Sequence, residues 1–176
     1  MSEKRTPDKG AQSAASNEPA VMSEAVRNTI AEHHAQYASD PAAAHMWDPI
    51  VIGVPGGPVA CLLLHHIGRK SGARLNSILQ YYRRGDEIAI VASKGGAEQH
   101  PVWYLNLLAR PQCEVQIIDF RATVTARTVA ADERAAWWQL ITAEQPIQLE
   151  YEARTSRVIP VVVLDLPAGV TYPPAN

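Results

Sequence analysis

Apolar residues recur along this chain in two rhythms, and these divide it into strands and helices. Val59 to His66 is apolar at nearly every position and bounded by turns, the pattern of a strand covered on both faces. Leu75 to Tyr82 and Glu87 to Ser93 follow, with Arg83-Arg84-Gly85-Asp86 as the hairpin turn between them. Cys113 to Ile118 and Phe120 to Val129 alternate apolar and polar residues around a reversal near Asp119, a second hairpin, and Val158 to Leu166 is a last β-branched run. Helical spacing governs Ser23 to Tyr37, with Ser23 as its N-cap. It also governs the segment opened by Pro101 and stopped by Pro111, a stretch capped by Asp132 and running through Ile141, and Ile147 to Ala153. Residues 1–20 have neither period and are predicted to be disordered. Asp40 to Pro58 reads as a Pro- and Gly-rich loop, and residues 167–176 read as a C-terminal tail. Six strands and four helices in mixed order predict one α+β, mainly β, domain over 21–166, built as a small antiparallel barrel with peripheral helices.

The totals narrow the class. A chain of 176 residues with 47% hydrophobic and 19% charged residues can bury one proper core. A net charge of −2 argues against general nucleic-acid binding. Cys61 and Cys113 lie inside apolar runs, without the spacing of a metal site, and read as buried, reduced core residues. The polar start has no apolar signal region, and no run approaches the ~18 apolar residues of a membrane span, so the cytoplasm is the expected location. The apolar stripe of the N-terminal helix is thin. It suits a helix lying on the barrel, with a lid over a pocket or a peripheral membrane contact as the sharper readings. Nothing in the pattern speaks to oligomeric state.

Against that near-neutral background, positive charge is concentrated. Gly68 to Gly96 holds six of the 16 basic residues. Arg69, Lys70 and Arg74 crowd one Gly-bounded turn, and Ser93-Lys94-Gly95-Gly96 forms another. If the runs between are adjacent antiparallel strands, both turns open towards one edge of the sheet. Cations, the hydroxyls of Ser71 and Ser93, and the N–H groups of Gly-rich turns suit a phosphate or carboxylate. Gly68-Arg69-Lys70-Ser71 is not a P-loop, because Lys does not follow Gly directly and no earlier Gly has the required spacing. No nucleophile elbow, metal motif or paired carboxylates appear, so a bound cofactor is expected to supply the chemistry. Past the second turn, Trp103 and Tyr104 stand at a helix start, which adds N–H donors and aromatic walls fit for a flat ring, or else a plug for the barrel.

Taken together, LLLHHIGRKSG, VASKGG, HPVWYLNLLARP and IPVVVLDL, in this order from about Pro58 to Leu166, resemble the deazaflavin-dependent nitroreductase family. The resemblance implies a split β-barrel like that of flavin-mononucleotide-binding proteins. It also implies coenzyme F420 as cofactor and hydride transfer to a small acceptor such as a quinone or nitroaromatic. Flavin mononucleotide is the alternative cofactor on this fold, and a non-catalytic coenzyme- or ligand-binding protein is the alternative function. Carried over by position, Arg69, Lys70, Ser71 and Arg74 with Leu75, Asn76 and Ser77 resemble the family's contacts to the coenzyme's phosphate and acidic tail. Val91, Ala92, Ser93 and Lys94 resemble its second phosphate-side turn, and Val102, Trp103, Tyr104, Leu105 and Asn106 the segment facing the ring.

The departures are informative. Arg74 comes one place earlier than the family pattern, Ile78 replaces a Pro, and His65-His66 replaces a Thr-rich run. One of these histidines is expected to face the interior, as a structural residue or a proton donor. In the segment before the last strand Tyr151 is retained, while Gln145 and Gln148 stand where other tyrosines are usual. Tyr151 is the candidate catalytic residue, orienting the acceptor or supplying a proton. Coenzyme binding is expected to survive and acceptor specificity to differ, so that nitroimidazole activation is not implied.

Overall fold

The computed structural model of the chain describes residues 23–174, so the expectation for 1–20 lies outside the described residues. Strand β1 is only Met46–Trp47. The barrel is built from β2 (Val59–Ile67), β3 (Arg74–Arg84), β4 (Glu87–Val91), β5 (Gln112–Ile117), β6 (Phe120–Thr128) and β7 (Val161–Asp165). These six are antiparallel neighbours in the order β2-β3-β4-β7-β6-β5, and β5 pairs back onto β2, which closes the ring. Closure pairs most of the edges that an open sheet would leave exposed, although β3 runs unpaired past the end of β4. The β3–β4 hairpin turns at Gly85–Asp86, and Gly85 takes φ +60, a conformation that costs a glycine little.

Alternation along the strands sorts the core into two faces. Leu62, Leu64, Ile88, Ile90, Val115, Val124, Val162 and Leu164 fill the barrel interior. Cys61 and Leu63, one residue out of phase, face outwards with Val59 and pack under α1 (Glu24–Ser39) and α2 (Pro41–His45). Tyr82, Ala89, Val161 and Val163 form a second outer patch, covered by Trp137, Trp138 and Ile141 of α4 (Ala131–Glu144). This explains why β2 and β7 read as apolar throughout: interior and helix layer cover both faces.

Several boundaries differ from expectation, each for a local reason. Ser23 caps α1, its hydroxyl accepting from the Val26 N–H at 3.2 Å. Asp132 does not cap α4, which starts at Ala131 with no side-chain cap, so Asp132 and Glu133 sit in its first turn, where negative charge suits the helix dipole. The expected loop after Asp40 contains α2, β1 and a short 3-10 turn, Pro49–Ile52. Asp40 caps α2 and Asp48 caps the 3-10 turn, each through a side-chain oxygen that accepts a main-chain N–H. Past β7, in the segment expected to be tail, Tyr172 returns to the interior, 4% exposed, and donates to the Leu164 carbonyl at 2.7 Å. Both cysteines are buried and unbridged, their thiols pushed up to about 12 by burial. No helix among the described residues is long and apolar enough to cross a membrane.

Candidate functional site

The ladder between β3 and β4 begins at Arg84–Glu87 and ends at Tyr81–Ile90. From Arg74 to Gln80, β3 therefore has only β2 as a strand neighbour among the described residues. This uncovered edge is about 20 Å long at ~3.3 Å per residue. At one end lies the turn between β2 and β3; near the other, β4 leaves the sheet into the second basic turn. The turns thus open in the same direction, as expected, but they are offset along β3 rather than level.

The first turn is closed by its own backbone. Gly68 N–H donates to the Ala73 carbonyl and Gly72 N–H to the Gly68 carbonyl, both at 2.8 Å. Ser71 shapes the turn from within, its hydroxyl accepting from the Ala73 N–H at 3.2 Å. That leaves the Arg69, Lys70 and Arg74 side chains exposed. In the second turn Ser93 is right-handed helical, while Lys94, Gly95 and Gly96 all take positive φ. Such a right-to-left succession turns consecutive N–H groups into an anion-binding nest. Gly96 is fixed by contact as well, because a Cβ there would lie 2.6 Å from the Tyr151 carbonyl oxygen.

Charge pairing separates these cations from five of the arginines. Arg84, Arg121, Arg127, Arg134 and Arg154 each have a carboxylate partner within 4 Å. Arg69, Lys70, Arg74 and Lys94 form no such pair among the described residues. Their charge is not neutralised by a carboxylate among the described residues and is available to an anionic ligand.

A residue that motif reading missed holds the second turn together. Arg157, in the loop before β7, donates to the carbonyls of Ala92 (3.1 Å), Ser93 (2.8 Å) and Ala97 (2.8 Å) and to Nδ1 of His100 (3.2 Å). Beside it Glu98 accepts from the Ser156 N–H at 2.8 Å and hydroxyl at 2.9 Å, contacts that draw its carboxyl below the usual range. Burial, then the Arg157 charge, lowers the pKa of His100, so it stays neutral and accepts. An isolated Arg among polar loop residues gives no sequence signal for such a role.

The remaining predicted site residues divide. Ala92 and Ser93 are buried in the turn's base and Val91 is half-buried. Leu75 is 40% exposed on the open edge, while Asn76 Oδ1 accepts from the Nε2–H of His34 of α1 at 2.7 Å. On α3 (Val102–Ala109), Val102 is exposed and Leu105 half-buried, but Trp103 and Tyr104 are buried in the barrel cluster, where they serve as core rather than as open walls. Asn106 is buried and reaches back to the first turn, its Oδ1 accepting from the Arg69 N–H at 3.0 Å. His66 faces the interior beside it, and His65 points outwards near Glu114.

On the outer face of β2 and β3 lies a cavity of about 200 Å³, roofed by Ile30 and His33 of α1 and walled by Trp47, Ile78 and Gln80. Tyr151, Gln145 and Gln148 close it from α5 (Ile147–Ala153) and the segment just before it. Ile78 and Gln80 belong both to this cavity and to the uncovered edge, so an occupant would lie against a ligand on β3. Helix α1 therefore lies on the barrel, held by the Tyr37 hydroxyl donating to the Cys61 carbonyl at 3.1 Å, and also roofs a pocket. Burial raises the Tyr151 pKa, so its hydroxyl keeps its proton at neutral pH.

The closed six-strand antiparallel barrel, with part of β3 uncovered between two basic turns, is a split barrel. The sequence profile of the F420H2-dependent quinone reductases matches residues 48–166, and the chain belongs to that family. An F420H2-dependent quinone reductase of Mycobacterium tuberculosis is 42% identical over 114 residues, covering 63% of this chain and 76% of that one. The solved structure of an F420H2-dependent reductase superimposes with a TM-score of 0.55 at 37% identity, over 60% of this chain and 93% of that one. A second solved chain, described as a domain-swapped dimer, gives 0.57 at 29% identity over 79% and 99%. The family's hydride donor is F420H2, the first of the two cofactors expected.

Proposed function

We propose that this protein transfers a hydride from F420H2 to a quinone-like acceptor, the coenzyme lying along the uncovered edge of β3 and the acceptor in the cavity beneath α1. The carrying observation is the set of four cations on two turns, none of them neutralised by a carboxylate among the described residues. Arg69, Lys70 and Arg74 would meet the anionic tail and Lys94 the second anionic group, with the nest of Ser93, Lys94 and Gly95 adding N–H donors. When bound, the reduced coenzyme supplies the hydride. The chain itself holds donor and acceptor in contact and keeps water from the gap.

Reduction of a quinone to a hydroquinone needs a proton for every hydride. Tyr151, which lines the cavity and keeps its proton at neutral pH, would orient an acceptor oxygen through its hydroxyl and hand over that proton. Its backbone is tied to the second turn through the close approach of Gly96, which couples acceptor position to coenzyme position. Gln145 and Gln148 stand in this wall where tyrosines are usual in the family, and this supports an acceptor preference different from that of nitroimidazole-reducing relatives.

Titration of the purified protein with F420 and with flavin mononucleotide, at low and high salt, tests the reading. Tight, salt-sensitive binding of F420 alone is expected, because the contacts are charge pairs in partly exposed turns. Preference for flavin mononucleotide, or no binding of either, would withdraw it.

A further inference from the structure

We propose that His66 is a positioning residue for the coenzyme: as a neutral imidazole it sets Asn106, which in turn holds the main chain of Arg69. The inference rests on F420 binding at the basic turns, as proposed above.

The hydrogen bonds run in one direction. Asn106 Oδ1 accepts from the Arg69 N–H at 3.0 Å and from Arg69 Nη1 at 3.3 Å. With its oxygen engaged there, the Asn106 amide N–H₂ faces Nδ1 of His66 at 3.1 Å. Nδ1 must then accept, so the ring proton sits on Nε2, which donates to the Ser77 hydroxyl at 3.2 Å. One tautomer satisfies every member, and β2, β3, α3 and the first basic turn are joined by it. His66 is 4% exposed and Asn106 1%, so neither has water to replace a lost partner.

Protonation breaks the chain at a defined atom. A proton on Nδ1 would face the Asn106 N–H₂ donor to donor, and the amide would have to turn, withdrawing its oxygen from Arg69. The groups facing His66 favour the neutral form. Its neighbour His65 and the Arg69 guanidinium beyond Asn106 are basic, the partners Ser77 and Asn106 are uncharged, and no carboxylate among the described residues contacts it. Burial, its largest cause, and then His65 lower the pKa of His66, in keeping with that arrangement.

The test compares wild type with His66→Leu, which cannot titrate or accept, by F420 dissociation constant from pH 7.5 to 5.0. F420's own titration is common to both proteins and cancels in the ratio. The expected ratio of variant to wild type is about 5- to 10-fold at pH 7.5, falling as the pH drops and the wild-type imidazole charges. A ratio of 1 throughout, or one that does not change with pH, overturns the proposal while leaving F420 binding intact. Absence of F420 binding to wild type at every pH overturns the functional reading and this one with it. If His66→Leu does not fold, ¹⁵N spectra of the wild-type protein decide. The Arg69 amide and the His66 ring must titrate with one midpoint, and independent midpoints overturn the proposal.

Discussion

Arg157 Nη2 lies 2.8 Å from the Ser93 carbonyl, and the same guanidinium reaches Ala92, Ala97 and His100. One side chain from the approach to β7 therefore fixes the turn that presents Lys94. Arg157→Lys keeps the charge but not the planar fork, so most of these contacts are lost. We expect a stability loss on the order of 2–3 kcal/mol, from ~1.5–3 for a hydrogen bond to a charged group. We also expect a KM for F420H2 raised at least about tenfold, a factor worth ~1.4 kcal/mol. Thermal melting and steady-state kinetics check both.

Lys70→Ala and Lys94→Ala should separate binding from folding. Neither cation has a carboxylate partner among the described residues, so the melting temperature should stay within the small range of surface changes. F420 affinity should fall at low salt and the difference from wild type should shrink at high salt. Equal loss at both salt concentrations would remove the cations from the coenzyme site.

Gly96→Ala introduces a Cβ 2.6 Å from the Tyr151 carbonyl at φ +83. The left-handed conformation alone costs ~1–2 kcal/mol for a non-glycine residue, and the backbone contact adds to it. The turn and α5 must separate, so the acceptor KM should rise along with the loss of stability. Melting curves and acceptor kinetics read the two effects.

Tyr151→Phe removes the cavity hydroxyl with little change of shape. Acceptor turnover should drop about 10²-fold, the lower range for general acid–base catalysis, while F420 affinity stays unchanged. Because burial raises its pKa above the ordinary tyrosine value, the wild-type rate should show no titration of this group from neutral to mildly alkaline pH. Unchanged turnover and unchanged acceptor affinity would sink the role.

Gln145 and Gln148 are buried, and the side-chain oxygen of each lacks a hydrogen-bond partner among the described residues. An unpaired buried polar group costs ~1–3 kcal/mol. Gln145→Met should thus be neutral or stabilising in chemical denaturation, while shifting acceptor preference towards less polar rings.

The sequence by itself determined the strands, most helices and the two basic turns, because period-2 and period-3.6 patterning and Gly-bounded reversals are local properties. Its motifs also carried the family and the coenzyme. Tertiary structure decided which of those residues meet. Trp103 and Tyr104 look like ring walls in sequence, yet α3 packs them into the barrel. Asn106 and Arg69 lie far apart in the chain and touch only because α3 folds back over the end of β2. Barrel closure through β2–β5, the offset of the two turns along β3, and the anchoring of one turn by Arg157 are long-range pairings, invisible to any local window. Tyr172 entered the core for the same reason: a short polar tail shows no periodicity, and only the open end of the barrel gives its ring somewhere to be buried.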